Sequence, residues 1–284
     1  MVDLDAKLEQ PKTAEAVLEI VSAAHEAGRP LEIEGGGTKR GIGRVEGAAL
    51  RLSTAKLDKV VDYQPQELTL TVQPGAKLSK LEALLAAQGQ MLAFEPPRLT
   101  KVLGVKGEPT IGGALAANVS GPRRIRAGAA RDHALGVAGI SGRGEAFKAG
   151  GKVVKNVTGY DLPKLMAGSW GTLAVFTELT LKVLPKPETE ATLLLFGLDA
   201  ARAAEALGLA MAAPAEVSGA AHLPAAVAAR PPLKAELATT AIRLEGFPAS
   251  VAARAQGLAM RLKGLVRIRT EAPAWAASAA ACSL

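Results

Sequence analysis

A chain of 284 residues with 49% apolar side chains, 30 glycines and only 3% aromatics can bury a full core, and reads as one large domain or a large domain followed by a smaller one. Its formal charge of +7 is dispersed, and the one basic concentration, Arg123, Arg124, Arg126 and Arg131, has no interleaved aromatic, which excludes nucleic acid as the expected partner and leaves a solvated loop or a surface for an anionic group. A single cysteine, Cys282, and three scattered histidines, His25, His133 and His222, exclude an internal disulfide, a four-cysteine iron–sulfur cluster and a spaced metal site, so an electron carrier held here would be an organic cofactor.

The opening MVDLDAKLEQPK is acidic and lacks an apolar signal core, and no uncharged stretch reaches the length of a membrane-spanning helix. A cytoplasmic location is expected, with no direct membrane insertion; contact with the inner membrane would come through a partner. Thr13 caps a helix with Val17, Leu18, Val21 and Ala24 at helical spacing, ended by Gly28. A strand over Leu31 to Glu34 then enters Gly35-Gly36-Gly37-Thr38-Lys39-Arg40-Gly41-Ile42-Gly43, and a second strand runs from Leu50 to Ser53. Three glycines in succession let backbone N–H groups converge on a phosphate, the Thr38 hydroxyl adds a donor, and Lys39 and Arg40 are placed to neutralise charge. No Gly-Lys-Ser/Thr follows, as a P-loop requires, and no helix with a ribose-binding acid, as a Rossmann turn requires. A glycine-rich hairpin without a ligand is the alternative reading.

Val60 to Tyr63 and Leu68 to Val72 alternate like paired strands, Pro74-Gly75 makes a turn, and Leu78 to Gln88 is an amphipathic helix stopped by Gly89. The segment Thr110 to Gly121 starts a helix with paired glycines and continues in small residues, so a flat or phosphorylated group can approach it and use the open N–H donors of a helix start; close helix packing, which small residues also permit, is the alternative. His133 to Ser141 and Glu145 to Lys148 form a hairpin across Gly142-Arg143-Gly144. Asn156 is read as organising backbone and Asp161 as capping the next helix. Gly168-Ser169-Trp170-Gly171-Thr172-Leu173 leads into a long β segment ending at Leu184, suited to a backbone contact with a cofactor or to an ordinary turn. Pro185-Lys186-Pro187 marks a boundary. Beyond it, strands over 191–197, 215–222, 239–245 and 265–270 with helices over 200–212 and 248–263 give βαββαβ, the split ferredoxin-like unit. The expected domains are 1–187, 188–270 and an irregular or truncated tail over 271–284.

The glycine segments in this order, with the blocks TIGGALAANVSGPRRIRAGAARDHALGV and GGKVVKNVTGYDLPKLMAGSWGTLAVFTELTLKVLP, resemble the FAD-binding domain of the vanillyl-alcohol oxidase, or PCMH-type, family, and within it the FAD-binding subunits of bacterial glycolate oxidases. The resemblance spans roughly residues 10–187. It implies an α+β fold in which FAD lies between two α/β subdomains, with the ferredoxin-like unit as part of a cap. The pyrophosphate would sit at Gly35, Gly36, Gly37, Thr38 and Gly41, the flavin against Pro96, Thr110, Gly112, Gly113, Ala116, Asn118 and Gly121, and the adenosine end near Gly171 and Val175.

The resemblance further implies glycolate as substrate, oxidised to glyoxylate, with a sister FAD subunit holding the hydroxy-acid site and an iron–sulfur subunit accepting electrons. The chain departs from the pattern of hydroxy-acid-oxidising relatives in lacking paired histidines for a metal, and no metal is assigned. Neither histidine nor cysteine occurs in the Gly35 or Thr110 segments, so FAD is expected to be non-covalent. His133 and Tyr160 are the acid–base candidates, and the catalytic residues stay unassigned. Two other readings remain: a stand-alone FAD-dependent 2-hydroxy-acid dehydrogenase of the D-lactate type, and a non-catalytic assembly subunit that retains the fold without the flavin.

Overall fold

The computed structural model describes residues 7–43, 50–151, 159–231, 233–265 and 268–271; Asn156 and the segment after Glu271 lie outside them. The chain divides into two compact units, one formed by the described residues up to Ser120 with Ala129–Pro185, the other by Gly121–Gly128 with the described residues from Lys186 onward.

In the first unit, β1 (Lys7–Glu9) precedes α1 (Ala14–Glu26), whose start is set by the Thr13 hydroxyl accepting the Ala16 N–H at 3.2 Å and whose inner face buries Val17, Val21 and Ala24. β2 (Leu31–Glu34) and β3 (Leu50–Ser53) follow, and β1 and β2 both pair in parallel with β3. β4 (Val60–Gln64) and β5 (Thr69–Val72) form an antiparallel hairpin. α2 (Leu78–Ala86) turns Leu78, Leu81 and Leu85 inward and is followed by β6 (Gln90–Met91) and the short α3 (Ile111–Ala116).

After α4 (Arg124–Ala127), which belongs to the second unit, β7 (Ala134–Ser141) and β8 (Ala146–Gly150) pair as a hairpin. α5 (Leu162–Met166) is capped by Asp161, which accepts the Lys164 N–H at 3.3 Å. β9 (Ala174–Lys182) and β10 (Leu184–Pro185) complete the unit, β10 against β6.

The main sheet has the order β4-β5-β9-β7-β8 and is antiparallel throughout. β9, at its centre, is buried at every position except Glu178 and Lys182, because both faces are covered. Ala174 and Phe176 point into the larger core with Leu81, Phe94, Ile111 and Leu115, while Val175 points the other way into a smaller core with Val17, Val21 and Leu52.

The second unit runs β11 (Thr189–Phe196), α6 (Ala200–Ala212), β12 (Val217–Leu223), α7 (Ala225–Ala228), β13 (Thr239–Gly246), α8 (Pro248–Leu262) and β14 (Ile268–Glu271). Its antiparallel sheet has the order β12-β13-β11-β14, the split ferredoxin-like arrangement with α7 inserted. α6 meets this core through Ala203, Ala206 and Ala210, and α8 through Val251, Ala255, Leu258 and Leu262. No helix among the described residues is long and apolar enough to cross a membrane.

Two ion pairs fasten α4 to this sheet. Arg126 meets Glu216 at 2.5 Å, and Arg123 grips Glu245 with two hydrogen bonds of 2.6 and 3.0 Å, with Arg243 at 3.7 Å from the same carboxylate. Burial alone would raise the Glu245 pKa, but the hydrogen bond and charge of Arg123, the charge of Arg243 and the Ser218 hydroxyl together hold it below the usual carboxylate value. A depressed carboxylate contributes stability at neutral pH that is lost as pH falls through its folded pKa, so resistance to urea declines from about pH 4.3 downward. Glu245→Gln removes that component of the pH dependence and costs about 3 kcal/mol at pH 7, measured by urea unfolding, because the arginines lose their shared carboxylate.

Candidate functional site

The three glycine-bearing segments, far apart in sequence, wall one cavity of about 540 Å³ in the first unit. Gly35, Gly36, Gly37, Thr38, Thr110, Gly112, Gly113, Ala116 and Gly171 all line it. The volume falls within the range of small-molecule sites.

The glycine turn begins where β2 ends. The Ser53 hydroxyl donates to the Gly35 carbonyl and the Thr54 hydroxyl to the Glu34 carbonyl, each at 3.2 Å, holding the strand exit against β3. Gly35 then presses on the Thr110 side chain and Gly36 on the Glu108 backbone. A Cβ on Gly35 would fall on the Thr110 hydroxyl, and one on Gly36 on the Glu108 carbonyl oxygen. Glycine is therefore demanded here by the protein's own packing, and Gly37, at φ +68°, by its backbone conformation. Among the described residues, the N–H groups of Gly36, Gly37, Thr38 and Lys39 meet no protein acceptor. These four residues line the cavity, so the turn offers it a set of backbone donors.

α3 behaves differently from the sequence expectation. Its helix ends at Ala116 instead of continuing toward Gly121, and its first N–H groups are already used. Ile111 donates to the Ala76 carbonyl at 2.9 Å, Gly112 to the Pro74 carbonyl at 2.8 Å and Gly113 to the Thr110 hydroxyl at 3.3 Å. The small residues of this segment thus serve close approach, with a Cβ on Gly112 falling 2.5 Å from Pro74 Cβ, while the N–H groups without a protein acceptor among the described residues are those of the turn after β2. The third segment closes the other end of α3: Gly168 and Trp170 donate to the Leu115 and Ala116 carbonyls at 3.1 and 2.9 Å, satisfying acceptors that a helix end leaves open. That places Trp170, Gly171 and Thr172 on the cavity wall.

Charge at the cavity is organised by alternation along β2. Glu32 and Glu34 lie two residues apart, so they share a face, and Arg51 pairs with Glu32 in the parallel register. Arg40 binds Glu32 through Nε at 2.6 Å and Nη2 at 3.0 Å and reaches Glu34 at 3.3 Å, while Arg51 holds Glu34 at 2.9 Å. Arg40, expected to be available for an anion, is committed to this network. Lys39 has no carboxylate within 4.0 Å among the described residues, and burial pushes its ammonium below the usual lysine pKa.

Other expected site residues lie elsewhere. Pro96, Gly41, Asn118 and Gly121 are not among those lining the cavity, and Gly121 belongs to the second unit. Asn118 turns its side-chain oxygen to the Arg131 N–H at 3.0 Å. Val175 lines an adjoining groove of about 450 Å³ that shares Leu31, Ile33, Gly171 and Thr172 with the cavity. His133 is 2% exposed, with its ring 5.6 Å from Phe94 and Nδ1 3.3 Å from the Lys182 carbonyl, and Tyr160 is 93% exposed; neither reaches the cavity. Ile33, Thr54, Pro74, Trp170 and Phe176 line it without having been singled out as contacts. Ile33 and Phe176 come from strands β2 and β9, Thr54 and Pro74 from the turns after β3 and β5, and Trp170 is placed by its hydrogen bond to Ala116. Among the described residues no group of three or more His, Cys, Asp or Glu side chains could hold a metal.

Residues 6–150 match the FAD binding domain family. Over 181 residues the chain is 41% identical to the glycolate oxidase subunit GlcE of Escherichia coli strain K12, covering 63% of this chain and 49% of that protein. It is 34% identical over 187 residues to the glycolate oxidase subunit GlcD of Bacillus subtilis strain 168, covering 65% and 38% respectively. The chain therefore spans about half or less of the length of these curated relatives. Among solved structures, alkyldihydroxyacetonephosphate synthase shares the fold at a TM-score of 0.75 and 19% identity, over 98% of this chain and 54% of that one.

Gly113 separates the cavity's needs from those of the fold. A Cβ there meets the Thr110 hydroxyl at 3.3 Å and nothing else closer than the Lys39 Nζ at 4.0 Å. Gly113→Leu is expected to keep the melting temperature of the apoprotein and lose FAD, read as flavin absorbance after gel filtration. Gly36→Ala, which must push back the Glu108 backbone, is expected to cost about 2 kcal/mol of stability as well. Undiminished FAD on folded Gly113→Leu protein would put the cofactor elsewhere.

Proposed function

The chain belongs to the FAD binding domain family, and from that premise we propose that it is the FAD-binding subunit of a glycolate-oxidising complex, working beside a sister FAD subunit and an iron–sulfur subunit. The observation that carries the reading is the run of unpaired backbone donors at Gly36 to Lys39 on a cavity inside the family-matched region. Backbone N–H groups suit the pyrophosphate, and the apolar wall of Leu31, Ile33, Ile42, Trp170 and Phe176 suits a flat ring system. Bound FAD would supply the two-electron acceptor: glycolate gives up two electrons and two protons and leaves as glyoxylate.

The chain's own groups favour a shared reaction. A base must take the hydroxyl proton of the acid, and the titratable groups on the cavity wall are Glu32, Glu34, Lys39 and Arg40. The two carboxylates are held by Arg40 and Arg51, and the other two are cations. With neither His133 nor Tyr160 at the cavity, the hydroxy-acid site is assigned to the sister subunit. Similarity to two glycolate oxidase subunits supports the same division. Neither histidine nor cysteine lines the cavity among the described residues, in keeping with FAD held without a covalent bond.

The purified chain is expected to be yellow, or to become so with added FAD, and to release its flavin into the supernatant on acid precipitation. Glycolate-dependent reduction of an artificial acceptor is expected only when the sister and iron–sulfur subunits are co-expressed. Turnover of glycolate or D-lactate by the chain alone would replace this reading with a self-sufficient dehydrogenase, and a colourless protein that takes up no FAD would leave an assembly role.

A further inference from the structure

Two cations follow one another at the glycine turn, and the fold treats them oppositely. Arg40 is locked between Glu32 and Glu34, whereas Lys39 lies beside it, partly buried, with no carboxylate partner among the described residues. Among the described residues the neighbouring carboxylates are taken: Glu32 and Glu34 by Arg40 and Arg51, and Glu108 by Lys77 at 3.3 Å and by the Ser79 hydroxyl. Glu32 and Glu34 balance Arg40 and Arg51 in charge, which leaves the Lys39 ammonium on the cavity wall uncompensated among the described residues.

Its position is equally specific. Lys39 continues the run of unpaired N–H donors, and its Nζ reaches over Gly113, where the glycine turn and α3 come together. We propose that Lys39 is the counter-ion of the cofactor's pyrophosphate, acting as a positioning residue that makes the cavity select a diphosphate. The inference rests on the FAD reading above and adds to it a side chain for the charge that the backbone donors alone would leave unneutralised. Burial without a partner costs an ammonium its hydration, and a bound dianion restores a favourable environment. A lysine suits this role, because a compact charge on a flexible stem can follow the phosphates without the fixed fork geometry that commits Arg40 to Glu32. The same argument has a sign. An ammonium with a lowered pKa regains protons when an anion arrives, so FAD binding at alkaline pH should take up protons from the buffer.

The test titrates FAD into the apoprotein by calorimetry, at several salt concentrations and in two buffers of different ionisation enthalpy, for the wild type, Lys39→Met and Lys39→Arg. Lys39→Met is expected to bind FAD roughly ten- to one-hundredfold more weakly, with a flatter salt dependence, while the apoprotein melts at the wild-type temperature. Lys39→Arg should regain most of the affinity yet lose the alkaline proton uptake that the wild type shows, which a merely structural role would not produce. Wild-type affinity and salt dependence in Lys39→Met would overturn the assignment. So would an absence of proton uptake by the wild type, a readout that does not depend on the variants folding. If the wild type itself fails to bind FAD, the reading of the cavity falls instead.

Discussion

The cavity depends on one close approach, Gly35 laid on the Thr110 side chain and Gly36 on the Glu108 carbonyl, with no room for a Cβ on either glycine. That contact joins the exit of β2 to the entry of α3, two points about seventy residues apart in the chain. Neighbouring approaches reinforce it: Gly112 rests on Pro74, and Leu78 donates to the Pro109 carbonyl at 3.0 Å. Once α3 is held this way its leading N–H groups are consumed by Ala76, Pro74 and Thr110. The donors left for a ligand are those of the turn, where Gly37 has a φ of +68° and the N–H groups from Gly36 to Lys39 meet no acceptor among the described residues.

A division of charge follows from the same geometry. β2 directs Glu32 and Glu34 to a common face, where two arginines occupy them, and the remaining cation is Lys39. The wall thus offers a phosphate group donors and a positive charge, while both of its carboxylates among the described residues are held by arginines. This asymmetry suits the binding of a phosphorylated cofactor such as FAD.

Local features were legible from the amino-acid order. The α1 cap at Thr13, the β4–β5 and β7–β8 hairpins and the βαββαβ order of the second unit follow from turn residues and periodicity, which act over a few residues. Residue composition also pointed to glycine segments as the cavity wall. Three things were not legible, for physical reasons. Asn118 looks like a contact for the cofactor, yet it takes a left-handed φ of +48° and its side-chain oxygen accepts the Arg131 N–H. His133 looks like an available base, but the residue sits just before β7 and is buried beside Phe94. Gly121–Gly128 fall early in the chain but group with the later unit, where Arg123 and Arg126 meet Glu245 and Glu216. Each depends on a partner distant in sequence, which no local pattern reveals.

The central claim, that the turn after β2 and not the start of α3 supplies the anion donors, is tested most directly by backbone amide NMR during a titration with FAD. The account predicts that the amide protons of Gly36, Gly37, Thr38 and Lys39 move downfield most strongly and saturably, as new hydrogen bonds to phosphate form. The amides of Ile111, Gly112 and Gly113, already bonded within the protein, should shift less. Saturable binding with the large shifts at Ile111 to Gly113, and none at Gly36 to Lys39, would contradict it.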